Sequence, residues 1–349
     1  MRLRLLLCAA LVCFGVGTVP AAEPAQPAAP AAAPTQKFEL KDGDRVVFLG
    51  NTLIEREQKY GYWELMLTMA WPERNVTFRN LGWSGDTVWG ESRAGFGSQA
   101  DGFKKLVEEV NAARPTVIFV GYGNVEAFDG ETGLPKFVDG FGKLLDELEK
   151  TKARIVILGP TRRLNRFAPS RAPRDYNDSV MTYATAMRKL AEQRRLRFID
   201  LASEVATFET AIGLEKFDPQ LFSVDGVSFG PVLYSALGSS LMRQLQPSEG
   251  PPEIAVAVSA PTPAQVAAAA RISALESKLY EQIQKKNELF FHRWRPQNET
   301  YLFGFRKHEQ GKNAVEVFQF DPLVEAEEKK IAELRGKLAA EMKANGGAK

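Results

Sequence analysis

Histidine and cysteine are scarce in this chain of 349 residues, which holds two of each. Both cysteines, Cys8 and Cys13, sit inside an N-terminal stretch that reads as a removable leader. The remaining chain then has no thiol. That excludes a disulfide, a zinc–thiolate site and a cysteine nucleophile. Both histidines, His292 and His308, come late, so most of the chain has no imidazole to serve as a base. An excess of either charge is missing too: 45 Lys+Arg stand against 43 Asp+Glu, and the two balance once Arg2 and Arg4 are removed. Nothing in that balance points to nucleic acid or to an acidic membrane surface. No second long apolar run follows the leader, so no stable transmembrane anchor is expected in the mature chain.

What is present at the start is a pattern for export. Arg2 and Arg4 precede an apolar stretch from Leu5 to Val19, and the small residues Ala21 and Ala22 follow. This reads as a Sec-type signal peptide over 1–22, giving a periplasmic or extracellular protein. Val12 before Cys13 argues against lipid modification. Residues 23–37 are rich in Ala and Pro and read as an extended, solvated tether. A main domain is expected over 38–246 and a Pro/Ala/Val-rich linker over 247–263. A helical C-terminal extension, with an aromatic and arginine-rich segment, is expected over 264–349.

Within the main domain, short apolar runs alternate with stretches of helical spacing. Strands are expected at Arg45–Leu49, Val76–Asn80, Thr116–Val120, Arg154–Leu158 and Phe198–Leu201. Helices are expected at about Tyr62–Ala70, Ala100–Ala113, Lys136–Lys150, Asp175–Arg194 and Val232–Leu245. Thr116 to Val120 is nearly all apolar, as a central parallel strand must be. The alternation predicts a three-layer α/β fold, a doubly wound parallel five-stranded sheet with its site at the carboxyl ends of the strands. In the extension, helices are expected at Ala264–Lys286 and Pro322–Met342.

Four short blocks fall at strand ends or just before a helix. They are Phe48-Leu49-Gly50-Asn51-Thr52-Leu53, Asn80-Leu81-Gly82-Trp83-Ser84-Gly85, Gly121-Tyr122-Gly123-Asn124-Val125-Glu126, and Asp225-Gly226-Val227-Ser228. In order and spacing, Gly43 to Leu245 resembles the SGNH (or GDSL) hydrolases, lipase- and acylhydrolase-like esterases, and is similar to their divergent secreted planctomycete members. The resemblance implies an SGNH/flavodoxin-like sheet and ester chemistry. It places Thr52 at the nucleophile, Asp225 at the orienting acid, Ser228 at the histidine and Gly82 at the oxyanion glycine. Asn51 stands where the family has Asp, and its side chain can still hydrogen-bond the turn. In the third block either Val125 or Gly123 falls on the family's amide position, and Asn124 lies one place to the side of it.

These departures bear on the chemistry. A threonine hydroxyl can attack a carbonyl, but it needs a base. Ser228 cannot accept a proton at neutral pH. Loss of a triad member removes several orders of magnitude of rate, and loss of one oxyanion donor a further ~100–1000-fold. The pattern points away from the usual serine-esterase mechanism. Two substitutes for the base are open: His292, if the extension folds back over the strand ends, and Asp225 acting through water.

Around the expected mouth lie Glu55, Arg56, Tyr62, Trp63, Trp83, Asp86, Trp89, Arg93 and Phe128. They read either as a surface for sugar rings and acyl groups or as core and loop anchors. Arg162, Arg163 and Arg166 read as a basic rim or as solvated surface. The extension reads as a structural clasp or as a site for a protein partner. No cofactor and no metal is implied. Three functions stay open. One is an inactive or very weak esterase relative that binds a carbohydrate or acyl ligand through Thr52, Gly82, Trp83, Asn51 and Asn124. Another is an active esterase on acylated sugars or small esters, with Thr52 and an unconventional base. The last is a scaffold working through the extension.

Overall fold

Burial on both faces explains why the apolar runs become a parallel sheet. Val46, Val47, Leu49 and Val117 to Val120 are all fully buried, which only a strand covered by helices on both sides achieves. The computed structural model describes residues 37–164, 175–211, 221–223, 225–246 and 263–345. The signal segment 1–22, the tether up to residue 36, the linker over 247–262 and Arg166 lie outside the described residues.

The strands are β1 (Arg45–Gly50), β2 (Thr77–Gly82), β3 (Val117–Gly121), β4 (Arg154–Leu158) and β5 (Arg197–Ile199). They form one sheet in the order β2-β1-β3-β4-β5, with every neighbouring pair parallel. Helices α1 (Thr52–Tyr60), α2 (Tyr62–Ala70), α3 (Gln99–Ala113), α4 (Gly130–Lys150), α5 (Tyr176–Arg194), α6 (Leu201–Ala211) and α7 (Pro231–Leu245) flank it. Alternate strand residues feed two separate cores. Val46, Phe48, Phe119 and Leu158 pack with Leu53, Leu67, Val205 and Leu237 of α1, α2, α6 and α7. Val47, Leu49, Ile118 and Ile157 pack with Leu106, Phe141 and Met187 of α3, α4 and α5. The result is three layers, α/β/α. The order reverses between β1 and β3, so the ends of these two strands, Gly50 and Gly121, flank the crevice where such sheets place their sites.

Two helices were not expected. Helix α1 follows Thr52 at once, but only Leu53, Ile54 and Glu57 of its nine residues are buried, so it carries little apolar signal. Its ends are chemically marked instead. Asn51 caps the start by accepting the Leu53 N–H at 3.1 Å, and Gly61 closes the end in the left-handed region. Helix α6 directly follows β5, so one apolar run serves both elements.

The extension contains α8 (Pro263–Trp294), the short α9 (Glu299–Leu302) and α10 (Lys307–Gln310), and α11 (Phe320–Ala344). Helix α8 runs past Lys286 to Trp294, because no breaker occurs before Pro296. Arg271 pairs with Glu341, Lys285 with Glu327 and Arg293 with Asp321, so α8 and α11 run antiparallel. Leu279 and Ile283 of α8 and Leu338 of α11 bury themselves against Leu65 of α2. Tyr280 stacks on Tyr62 with 5.2 Å between ring centres.

Beneath this contact lies a buried ion pair. Lys286 Nζ is 2.7 Å from Glu64 Oε2 and also donates to the Phe78 carbonyl at 3.3 Å. Burial pushes the Glu64 carboxyl up and the Lys286 amine down, and on each group it outweighs the partner's opposing charge. Lys286→Met leaves a buried carboxylate without its contacting cation. It should destabilise the protein by about 3–5 kcal/mol, measured by urea unfolding. The double variant Glu64→Gln, Lys286→Met should regain most of that loss, because removing both charges also removes both desolvation costs.

Candidate active site

The first three blocks lie at the carboxyl ends of β1, β2 and β3, and the fourth lies just before α7. Thr52 is the first residue of α1, and its Oγ1 accepts a hydrogen bond from the Gly85 N–H at 3.0 Å. Gly85 sits in a turn at φ +71°, a conformation that suits glycine. The amide facing Thr52 therefore belongs to Gly85 and not to Gly82. Gly82 donates its own N–H to Asn80 Oδ1 at 2.9 Å. Its glycine requirement is steric: a Cβ there would stand 2.2 Å from the Glu55 amide nitrogen. Gly85 closes the second block itself, and the Ser84-Gly85-Asp86 turn composition was the one sign of its place.

Glu55 fixes the second block against α1. Its carboxylate accepts the Ser84 N–H at 2.6 Å and the Ser84 hydroxyl at 2.8 Å, and it also pairs with Arg295 from the extension. On the other side, buried Arg93 pairs with Asp86 at 2.8 Å and Glu109 at 2.5 Å, and donates to the Leu81 carbonyl. Trp83 is enclosed by cations and by the extension. Arg295 lies 4.0 Å over its ring, and Trp294 meets it edge-on at 5.7 Å. Its face thus holds the extension in place.

The third block turns inward. Asn124 donates to the Thr161 carbonyl at 2.8 Å and lies 3.3 Å from the Tyr176 hydroxyl, which itself donates to the Asn124 carbonyl at 2.9 Å. Its amide ties the third block to Thr161 and to the start of α5. Buried Glu126 accepts the Gly123 and Val88 N–H groups at 2.9 and 2.8 Å. Burial pushes its carboxyl up to about 7, against the pull of these amides.

The last block closes on itself. Asp225 accepts the Ser228 hydroxyl at 2.9 Å, the Ser228 N–H at 2.5 Å and the Val227 N–H at 2.9 Å. Partial burial raises the Asp225 carboxyl. The Ser228 and Val227 amides, the Ser228 hydroxyl and the Arg56 charge outweigh that and hold it below the usual carboxylate range. The block is tethered to α1, since the Tyr234 hydroxyl donates to the Leu53 carbonyl at 2.9 Å and the Tyr60 hydroxyl lies 3.3 Å from the Phe229 carbonyl.

The remaining residues divide clearly. Trp63 is core, with its indole N–H on the Tyr234 carbonyl at 3.2 Å. Tyr62 packs under the extension, and Lys136 lies 4.4 Å over the Trp89 ring. Exposed Phe128 stacks on Tyr176. Arg163 is buried over the Tyr176 ring, so it is no rim residue. The Asn51 Nδ2 is buried and has no hydrogen-bond partner among the described residues. The extension does fold over the second block, but it brings Trp294 and Arg295 there. His292 is exposed, with its ring against Phe291 and Phe320 beside a groove that includes Lys59. His308 is exposed beside Glu309. Among the described residues, Thr52 has no histidine partner.

No protein-family model matches the sequence, and no curated protein sequence matches it. Solved structures do. A gut microbial diltiazem-metabolizing enzyme superposes with a TM-score of 0.52 at 14% identity, over 88% of this chain and 94% of that one. That share of this chain cannot be reached without part of the C-terminal extension. Axe2, an acetylxylan esterase from Geobacillus stearothermophilus, is similar over 60% of this chain and 96% of its own, at 17% identity and a TM-score of 0.45. The likeness to the diltiazem-metabolizing enzyme is one of fold: a five-stranded parallel sheet between two layers of helices.

The raised Glu126 carboxyl makes stability depend on pH. The unfolded chain loses this proton near the ordinary value of 4.5, while the folded chain keeps it up to about 7. The stabilisation is complete below pH 4.5 and is lost as pH rises to 7. A shift of this size corresponds to roughly 3 kcal/mol. Glu126→Gln should flatten the fall in urea-unfolding free energy across that window.

Proposed function

We propose that this protein is an exported, esterase-like binding protein with little or no turnover. Its ligand is a carbohydrate or acyl compound that presents an ester oxygen to the corner formed by Thr52 and Gly85. The observation that carries this reading is the closed Asp225–Ser228 pair. The family resemblance assigns Ser228 to the place of the base, and its hydroxyl donates to Asp225 at 2.9 Å. Thr52 accepts from Gly85 at 3.0 Å, and no described group is placed to take its proton. The corner keeps hydrogen-bonding capacity for a polar ligand while lacking the proton acceptor that nucleophilic attack requires. The lowered Asp225 carboxyl makes that residue a still weaker base. Export rests on the leader pattern of residues 1–22.

Hydrolysis of short aryl acetates and acetylated xylose should proceed at a rate unchanged by Thr52→Ala. Turnover that this substitution abolishes would overturn the reading. Calorimetry with acetylated xylose measures binding directly, and Thr52→Val should weaken it by about fivefold, the loss of one hydrogen bond. Ser228→His together with Thr52→Ser puts an imidazole beside Asp225. It should raise aryl-acetate kcat/KM by about 100-fold, the low end of what a positioned base supplies.

A further inference from the structure

Three phenylalanines face solvent beside this corner: Phe96 at 84%, Phe305 at 68% and Phe303 at 46% exposure. Phe96 belongs to the loop after the second block, and the other two belong to the extension. The rings of Phe96 and Phe305 meet edge-on, 5.6 Å apart at 77°. They border a groove of about 340 Å³ whose inner wall includes Trp83 and Ser92. Ser92 stands beside Gly85, its Oγ 3.6 Å from the position a Cβ on Gly85 would take, and the Gly85 N–H donates to Thr52 Oγ1. Ser92 is itself held to Asp86 through its backbone N–H at 3.2 Å.

The charged groups of the groove are already paired. Lys105 is 2.5 Å from Glu299, and Asp101 accepts the Ser98 N–H and hydroxyl at 2.8 and 2.7 Å. Arg93 is bound to Asp86 and Glu109. Phe96, Phe303 and Phe305 carry no hydrogen-bonding group, so this side of the groove offers a sugar hydroxyl no partner. An apolar ring would cover exposed aromatic surface and extend the edge-to-face packing.

We propose that this groove is an acyl-group subsite that takes an aryl acyl group, with the extension supplying half of its aromatic wall. The inference rests on the reading that the Thr52–Gly85 corner holds the ester oxygen. It adds which side of the ester enters the groove and what that side is made of. The extension is then part of the binding site and sets its specificity.

The test compares two probes on the full chain by calorimetry: methyl 3-phenylpropanoate and acetylated xylose. The aryl ester should bind at least about tenfold more tightly. Phe96→Ala and Phe305→Ala, both at exposed positions, should each weaken the aryl ester by about tenfold and leave acetylated xylose unchanged, with the fold checked by circular dichroism. Thr52→Val should weaken both probes. Equal affinity for the two probes, or aryl binding indifferent to both phenylalanine changes, overturns the subsite. If the aryl ester depends on Phe96 and Phe305 but neither probe responds to Thr52→Val, the groove binds aryl groups while the ester corner fails. The linkage proposed between them is then overturned.

Discussion

The site depends on how closely the start of α1 approaches the end of β2. Gly82 lies against the Glu55 backbone with no room for a side chain. That contact sets the loop after β2 over the first turn of α1, where Glu55 can hold Ser84 and Gly85 can reach Thr52. Asn80 completes the arrangement by donating to the Ile54 carbonyl at 2.6 Å while accepting from Gly82. A larger residue at 82 would separate the two segments, and the hydroxyl and the amide would no longer face each other.

Buried charge organises the rest. Arg93, Asp86, Glu109 and Tyr122 form one network under the second block, with the Tyr122 hydroxyl donating to Asp86 at 3.1 Å. Lys286 and Glu64 form another under the extension. Both cost desolvation, and both are satisfied by contacts that exist only when loop, sheet and extension are assembled. Such contacts favour one assembled arrangement over partly docked ones. They explain why polar side chains sit at points where an apolar core alone would leave the loops free to slide.

Much of the fold was legible, and the reasons are physical. Central strands buried on both faces must be apolar throughout, so Val117 to Val120 and Arg154 to Leu158 stood out and lie where expected within a residue. Helices with one apolar stripe were legible as well. Helix α1 was not, because its stability comes from its caps and its position, and its middle is Glu-Arg-Glu-Gln-Lys. The site was only partly legible. Block order set Thr52 after the first strand and Asp225 and Ser228 ahead of the last helix of the main domain, and the structure adds the hydrogen bond between Asp225 and Ser228. Gly85 and Arg295 could not, since one acts through a backbone amide and the other arrives from 240 residues away in sequence. The partners of Asn124, Thr161 and Tyr176, could not be read locally either, because they come from distant segments.

Helix α8 is held on the body by contacts of its own residues and of those just after it. Lys286 on Glu64, Tyr280 on Tyr62, and Arg295 on Glu55 and Trp83 are all non-covalent contacts within the described residues. The chain between α7 and α8 adds to these contacts by raising the local concentration of one part near the other. A chain severed there would remain a single particle. The two pieces, produced separately, would reassemble as a complex whose dissociation constant measures the strength of the clasp.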